Sequence, residues 1–95
     1  MKTFTVQLTQ SAEKDLNRLS TKNRQQVCLA LETLSTQPVG KPPRVKRLKG
    51  FGFPLYRLCS GDFRALFRID QSVVTIMRVI NRKALEETLR NLNLA

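Results

Sequence analysis

The sequence contains no histidine and no tryptophan, and only one tyrosine and two cysteines. Without histidine, the side chain that most readily exchanges a proton near neutral pH is missing, and with it the usual base–acid pair of hydrolytic sites. Cys28 and Cys59 form neither a disulfide framework nor a metal-ligand spacing, so no metal and no small-molecule cofactor is expected. Acidic residues are also scarce: 7 Asp and Glu stand against 17 Lys and Arg, a formal net charge of +10. Such an excess leaves the fold open but predicts attraction to nucleic acid, an anionic surface or an acidic protein. No apolar run approaches the roughly 20 residues of a membrane span, so a membrane role is not expected. Met1-Lys2-Thr3-Phe4 runs straight into strand-like sequence with no signal-peptide pattern. The expected setting is therefore a reducing cytoplasm.

What is present is enough for one modest core. The 95 residues, 41% of them hydrophobic, read as a single domain over 1–95. Phe4, Val6 and Leu8 alternate with polar residues and predict a first strand. Thr9 or Ser11 then caps a helix with Ala12, Leu16 and Leu19 on one face. Ser20 and Thr21 break the pattern, and a second helix follows with Val27, Ala30, Leu31 and Leu34 as its stripe. The short break predicts a helical hairpin. Cys28 borders the stripe and reads as a small core residue. From Gln37 to Lys46 the breakers Pro38, Gly40, Pro42 and Pro43 predict a crossing loop, ending in the basic run Arg44, Lys46, Arg47 and Lys49. Solvated charge is the plain reading of that run; a phosphate contact is the functional one.

The stretch from Arg47 to Arg82 organises the rest. Tyr56-Arg57-Leu58-Cys59 and Asp62–Ile69 alternate with period two, so Tyr56, Leu58, Phe63, Ala65, Phe67 and Ile69 share one face and Arg57, Arg64 and Arg68 the other. Ser60-Gly61-Asp62 and Asp70-Gln71-Ser72 are turns. Val73–Ile80 is apolar almost throughout, as in a central strand. Arg82–Asn93 is a last helix with Leu85, Leu89 and Leu92 on its core side. The expected fold is α+β in the order β-α-α-β-β-β-α: a small antiparallel sheet, covered on one face by the N-terminal helical hairpin, with a short C-terminal helix. Arg78, within an apolar strand, is expected beside Arg57 and Arg64, with an ion pair to Asp62, Asp70 or Glu86 as the competing account.

With Arg47-Leu48-Lys49-Gly50, Tyr56-Arg57-Leu58, Gly61-Asp62-Phe63-Arg64 and Arg82-Lys83 in this order, the chain resembles the RelE/ParE superfamily of toxins over essentially its full length. None of these motifs is specific alone; their order and spacing carry the resemblance. It implies a toxin of a type II toxin–antitoxin system with an acidic antitoxin as partner. In the RelE branch the toxin enters the ribosome and cleaves mRNA; in the ParE branch it inhibits DNA gyrase. Position by position, the resemblance puts catalytic or phosphate-binding cations at Arg57, Arg64 and Arg82. Lys46, Arg47, Lys49, Arg78 and Lys83 are the further RNA-binding candidates. Three positions depart from the RelE pattern: Cys59 stands where a second Lys or Arg is common, Asn81 where histidine is common, and Ala84-Leu85-Glu86 offers no C-terminal tyrosine. Three readings follow: a ribosome-dependent mRNA endonuclease, a gyrase inhibitor, and a degenerate RNA-binding member.

Overall fold

Alternation of apolar and polar side chains sets the strands, and two hydroxyl caps set the hairpin. In a computed structural model, which describes residues 3–38 and 44–94, β1 (Thr5–Leu8) leads into α1 (Gln10–Asn17) and α2 (Thr21–Glu32). The Thr9 side chain accepts from the Ala12 amide and Ser20 from the Asn23 amide, so each helix starts where a hydroxyl satisfies an otherwise orphaned N–H. A short 3₁₀ turn at Thr33–Ser35 extends α2. After it come β2 (Val45–Leu48), β3 (Leu55–Ser60), β4 (Phe63–Asp70), β5 (Val73–Asn81), a 3₁₀ turn at Arg82–Ala84, and α3 (Leu85–Leu94). The middle of the expected proline-rich loop, 39–43, lies outside the described residues.

The strands form one five-stranded sheet in the order β1-β5-β4-β3-β2. It is mixed rather than wholly antiparallel: β1 pairs parallel to β5, Val6 beside Val74 and Leu8 beside Ile76. The remaining neighbours are antiparallel. A second difference is β2, four residues that the sequence assigns to the end of the crossing loop and the basic run. They pair with β3, Val45 beside Leu58 and Leu48 beside Leu55.

Each face of the sheet has its own cover. The helical hairpin and the 3₁₀ turn after it bring Ala12, Leu16, Val27, Leu31 and Leu34 against Val45, Leu58, Ala65, Phe67, Val74, Ile76 and Val79. Tyr56, Phe63 and Ile69 flank this core, so all six residues expected on one face of β3 and β4 are there. The Tyr56 ring stacks on Phe67, centroids 5.5 Å apart. Phe67 is fully buried; truncating it to alanine would cost about 3–5 kcal/mol, lost transfer energy plus a cavity. On the opposite face Leu55, Leu66 and Ile80 form a smaller core, closed by α3 through Leu85, Leu89 and Leu92 and by Phe51 and Phe53. The face expected to be purely cationic is therefore divided, apolar under α3 and basic beside it.

The β4–β5 ladder contains a bulge. Phe67 pairs with Ile76 but Leu66 pairs with Arg78, leaving Met77 as an extra residue. Helix α1 satisfies the backbone groups around it. The Thr9 hydroxyl donates to the Met77 carbonyl at 2.8 Å, and the Val79 amide donates to Asp15 Oδ2 at 2.9 Å. The hairpin is thus fixed to β5 by polar bonds at the point where the strand is irregular.

Candidate nucleic-acid interface

The β3–β4 register places the predicted cations. Arg57 lies opposite Leu66, Cys59 opposite Arg64, and Leu55 opposite Arg68. Because Tyr56, Leu58, Ala65 and Phe67 fill the helix-side core, these arginines occupy the other face. Arg68 supports this placement: its guanidinium carbon lies 4.8 Å from the centroid of Phe53, which belongs to the smaller core. Lys46 pairs with Arg57 and shares its side of the sheet. Arg47 is opposite Tyr56 and by register belongs to the other side of β2.

Three features gather around the β3–β4 turn. Gly61 adopts φ +56°, a left-handed turn conformation that a side chain would disfavour. The Arg64 guanidinium folds back over this turn, Nη1 donating to the carbonyls of Gly61 at 2.8 Å and Phe63 at 2.9 Å. The backbone N–H of Arg82 donates to the Asp62 carbonyl at 2.8 Å. Arg82 Nε stands 3.8 Å from Asp62 Oδ1, with both side chains more than half exposed, which makes this a weak surface pair. Arg64 is opposite Ile80, two positions before Arg82. The turn thus brings Arg64 and Arg82 to the same end of the sheet, with Arg57 next along the β3 face.

Cys59 lies between Arg57 and Arg64 in this arrangement. Its sulfur accepts a hydrogen bond from Arg57 Nη1, so the position where RelE-like toxins often carry a cation here holds an acceptor for one. Asn81 is likewise structural. Its Oδ1 accepts from the Lys83 amide at 2.9 Å and caps the turn that leads into α3. The Lys83 side chain is exposed beside it, and Lys49 is exposed on the turn after β2.

Arg78 departs from expectation. It does not join Arg57 and Arg64: it lies two residues after Ile76 of the helix-side core, and its guanidinium turns to α1. Nε is 2.8 Å from Asp15 Oδ2 and Nη2 is 3.1 Å from Oδ1, a two-point contact. The hydrogen bond to Asp15, and secondarily its charge, raise the Arg78 pKa above the ordinary arginine value against the opposing effect of burial. Asp15 is the residue that the sequence reading missed. Its only signal was position: it falls beside Leu16 and three residues after Ala12, on the apolar face of α1, where an unpaired carboxylate would be costly.

Guanidinium groups stay charged and offer planar forks of donors, but they do not accept protons at neutral pH. Among the described residues no group of three or more His, Cys, Asp or Glu could hold a metal ion. Nor is any helix among the described residues long and apolar enough to cross a membrane.

Comparison with known proteins places this geometry. The chain is similar in structure to the archaeal RelE–RelB complex of Pyrococcus horikoshii, with 25% identity, 84% of this chain and 96% of that chain covered, and a TM-score of 0.72. It is similar to the RelBE2 toxin–antitoxin complex of Mycobacterium tuberculosis, with 29% identity, coverage of 84% and 99%, and a TM-score of 0.72. A free-state mutant of the Escherichia coli toxin RelE shares the fold at 17% identity, coverage of 97% and 95%, and a TM-score of 0.72. No curated protein matches the chain by sequence. The family model described as the ParE toxin of the type II toxin–antitoxin system parDE matches residues 6–86. With that match over most of its length, and with the RelE-like fold, the chain belongs to the ParE toxin family within the RelE/ParE superfamily of type II toxin–antitoxin toxins.

Proposed function

We propose that this toxin acts in the cytoplasm as a ribosome-dependent mRNA endonuclease, with Arg57, Arg64 and Arg82 around the scissile phosphate. The observation that carries the reading is the β3–β4 register, which puts Arg57 and Arg64 on one face while the turn between the strands ties Arg82 to the same end. In such a reaction the 2′-oxygen attacks phosphorus, the bond to the 5′-oxygen breaks, and one proton moves from nucleophile to leaving group. Negative charge accumulates on the non-bridging oxygens, where fixed guanidinium groups stabilise it most. The chain lacks histidine, so proton transfer falls to water or to groups of the ribosome, and the protein's own contribution is electrostatic and positional. Lys46, Lys49 and Lys83 contact flanking phosphates, with Arg47 in a lesser role; Arg78 is committed to Asp15. An acidic antitoxin covers this charge when the toxin is idle, as a second chain accompanies the RelE-type proteins of P. horikoshii and M. tuberculosis.

The description of the matching family favours a second reading, a ParE-type inhibitor of DNA gyrase that cleaves nothing. Primer extension on translating mRNA separates the two. Cuts at the ribosomal A site, abolished by Arg64→Ala and retained by Cys59→Ala, are the expected result. Intact message with gyrase-linked DNA breaks would transfer the assignment to the second reading.

A further inference from the structure

A hollow of about 350 Å³ opens where β2 turns toward β3, lined by Arg47, Leu48, Lys49, Gly50, Phe51 and Phe53. Gly50 adopts φ +93°, and beyond its own and the two adjacent residues no heavy atom lies within 4 Å of where its Cβ would stand, so this side is open. Phe51 and Phe53 are 6.2 Å apart between centroids and tilted by 48°. Both are half-buried: they close the Leu55–Leu66–Ile80 core and also contribute to the wall of the hollow. Arg68, stacked over Phe53, adds a cation to the same neighbourhood. The catalytic reading above uses neither ring.

We propose that this hollow receives one unpaired base of a single-stranded RNA, with Lys49 meeting the adjoining phosphate. The inference rests on the endonuclease reading and assigns it a base-binding subsite. Aromatic rings beside a basic rim are what sequence-tolerant single-strand binding requires, since every base has a π-face and every nucleotide a charge. The placement fits the strand geometry. Leu48 of the hollow pairs with Leu55, and Leu55 precedes Arg57 by two residues on the same face, about 7 Å at the usual strand rise. One nucleotide of an extended strand spans a comparable length, so a base in the hollow leaves a neighbouring phosphate within reach of Arg57. An acidic peptide would satisfy the cations but would gain nothing specific from two tilted rings.

The test uses the full-length protein and a single-stranded RNA trinucleotide with 2-aminopurine at its centre. Stacking on a ring quenches that base. The parent is expected to quench it on saturation. Phe51→Leu and Phe53→Leu preserve apolar cover but remove the ring, and should weaken binding by about fivefold or more and relieve the quenching. Lys49→Gln should weaken binding while leaving the saturated signal quenched, and it touches no core contact. An unquenched base at saturation, leucine variants equal to the parent, or polyglutamate binding as tightly as the RNA at the same salt would each overturn the proposal. Ribosomal cleavage is read separately. Cuts without quenching refute the base subsite alone; quenching without cuts upholds it and refutes the endonuclease reading.

Discussion

Removing the Asp15 carboxylate should destabilise the protein by about 3 kcal/mol, through three bonds made by one buried group. Asp15 is 8% exposed and accepts from Arg78 Nε, Arg78 Nη2 and the Val79 amide. Breaking an ion pair with both partners out of water costs about 3–5 kcal/mol. Here the Arg78 side chain is 36% exposed and can rehydrate, which reduces its share. The Val79 amide cannot, and an orphaned buried donor adds about 1–3 kcal/mol. In urea, at an m-value of about 1–1.5 kcal/mol/M for a protein of this size, Asp15→Ala should lower the midpoint by about 2 M. Asp15→Asn keeps the shape and one acceptor oxygen and should cost about half as much. A double-mutant cycle with Arg78→Ala should give a coupling above about 1 kcal/mol. The pair also fixes the pH behaviour. A group whose pKa is raised on folding contributes stability that is complete below its unfolded value, and it is lost only as pH rises through the folded one. For Arg78 that window lies above the ordinary arginine value, so its contribution should be level from about pH 6 to 10. A midpoint shift under about 0.4 M for Asp15→Ala, or strict additivity with Arg78→Ala, would refute the reasoning.

Other perturbations test other parts of the molecule. Thr9→Ala removes both the cap of α1 and the bond to the Met77 carbonyl; a loss of about 1–2 kcal/mol in chemical denaturation is expected, with Thr9→Ser close to the parent. Gln71 holds φ 55° in the β4–β5 turn without being glycine, so Gln71→Gly should raise stability by about 0.5–1 kcal/mol, and a loss in thermal melting would contradict that. Association with an acidic antitoxin, followed by stopped flow, should slow steeply as salt rises while dissociation changes little; an association rate indifferent to salt would argue against charge-steered capture.

The parts of this fold written as local periodicity could be read from the sequence. The six alternating residues from Tyr56 to Ile69 identified the helix-side face because nothing interrupts their period, and they carried Arg57 and Arg64 to the opposite face with them. β2 was hidden because proline and glycine precede it and because three of its four residues, Lys46, Arg47 and Leu48, lie open or only half-covered on an edge; only Val45 is buried. The parallel pairing of β1 with β5 joins segments nearly seventy residues apart, and no local pattern encodes which neighbour a short strand chooses. Arg78 was misplaced because β5 is apolar on both sides, so its sequence shows no alternation that tells which face the one charged residue takes; Val74 and Ile76 lie in the helix-side core, and Arg78, two residues on, reaches Asp15 of α1. Asp15 then escaped notice because its partner was expected elsewhere.

Both rims of the sheet end in four-residue strands, but they are guarded differently. β1 exposes Thr5 and Gln7, whereas β2 exposes Lys46 and Arg47. An unpaired rim of backbone donors and acceptors invites a second copy to add on, and like charge along the rim is one of the few deterrents available to so short a strand. The lysine and arginine of β2 are therefore expected to discourage such pairing, whatever else they contact. Replacing both with glutamine to probe phosphate contact would also remove that repulsion. Loss of activity in such a variant carries meaning only if light scattering shows that the protein is still monomeric.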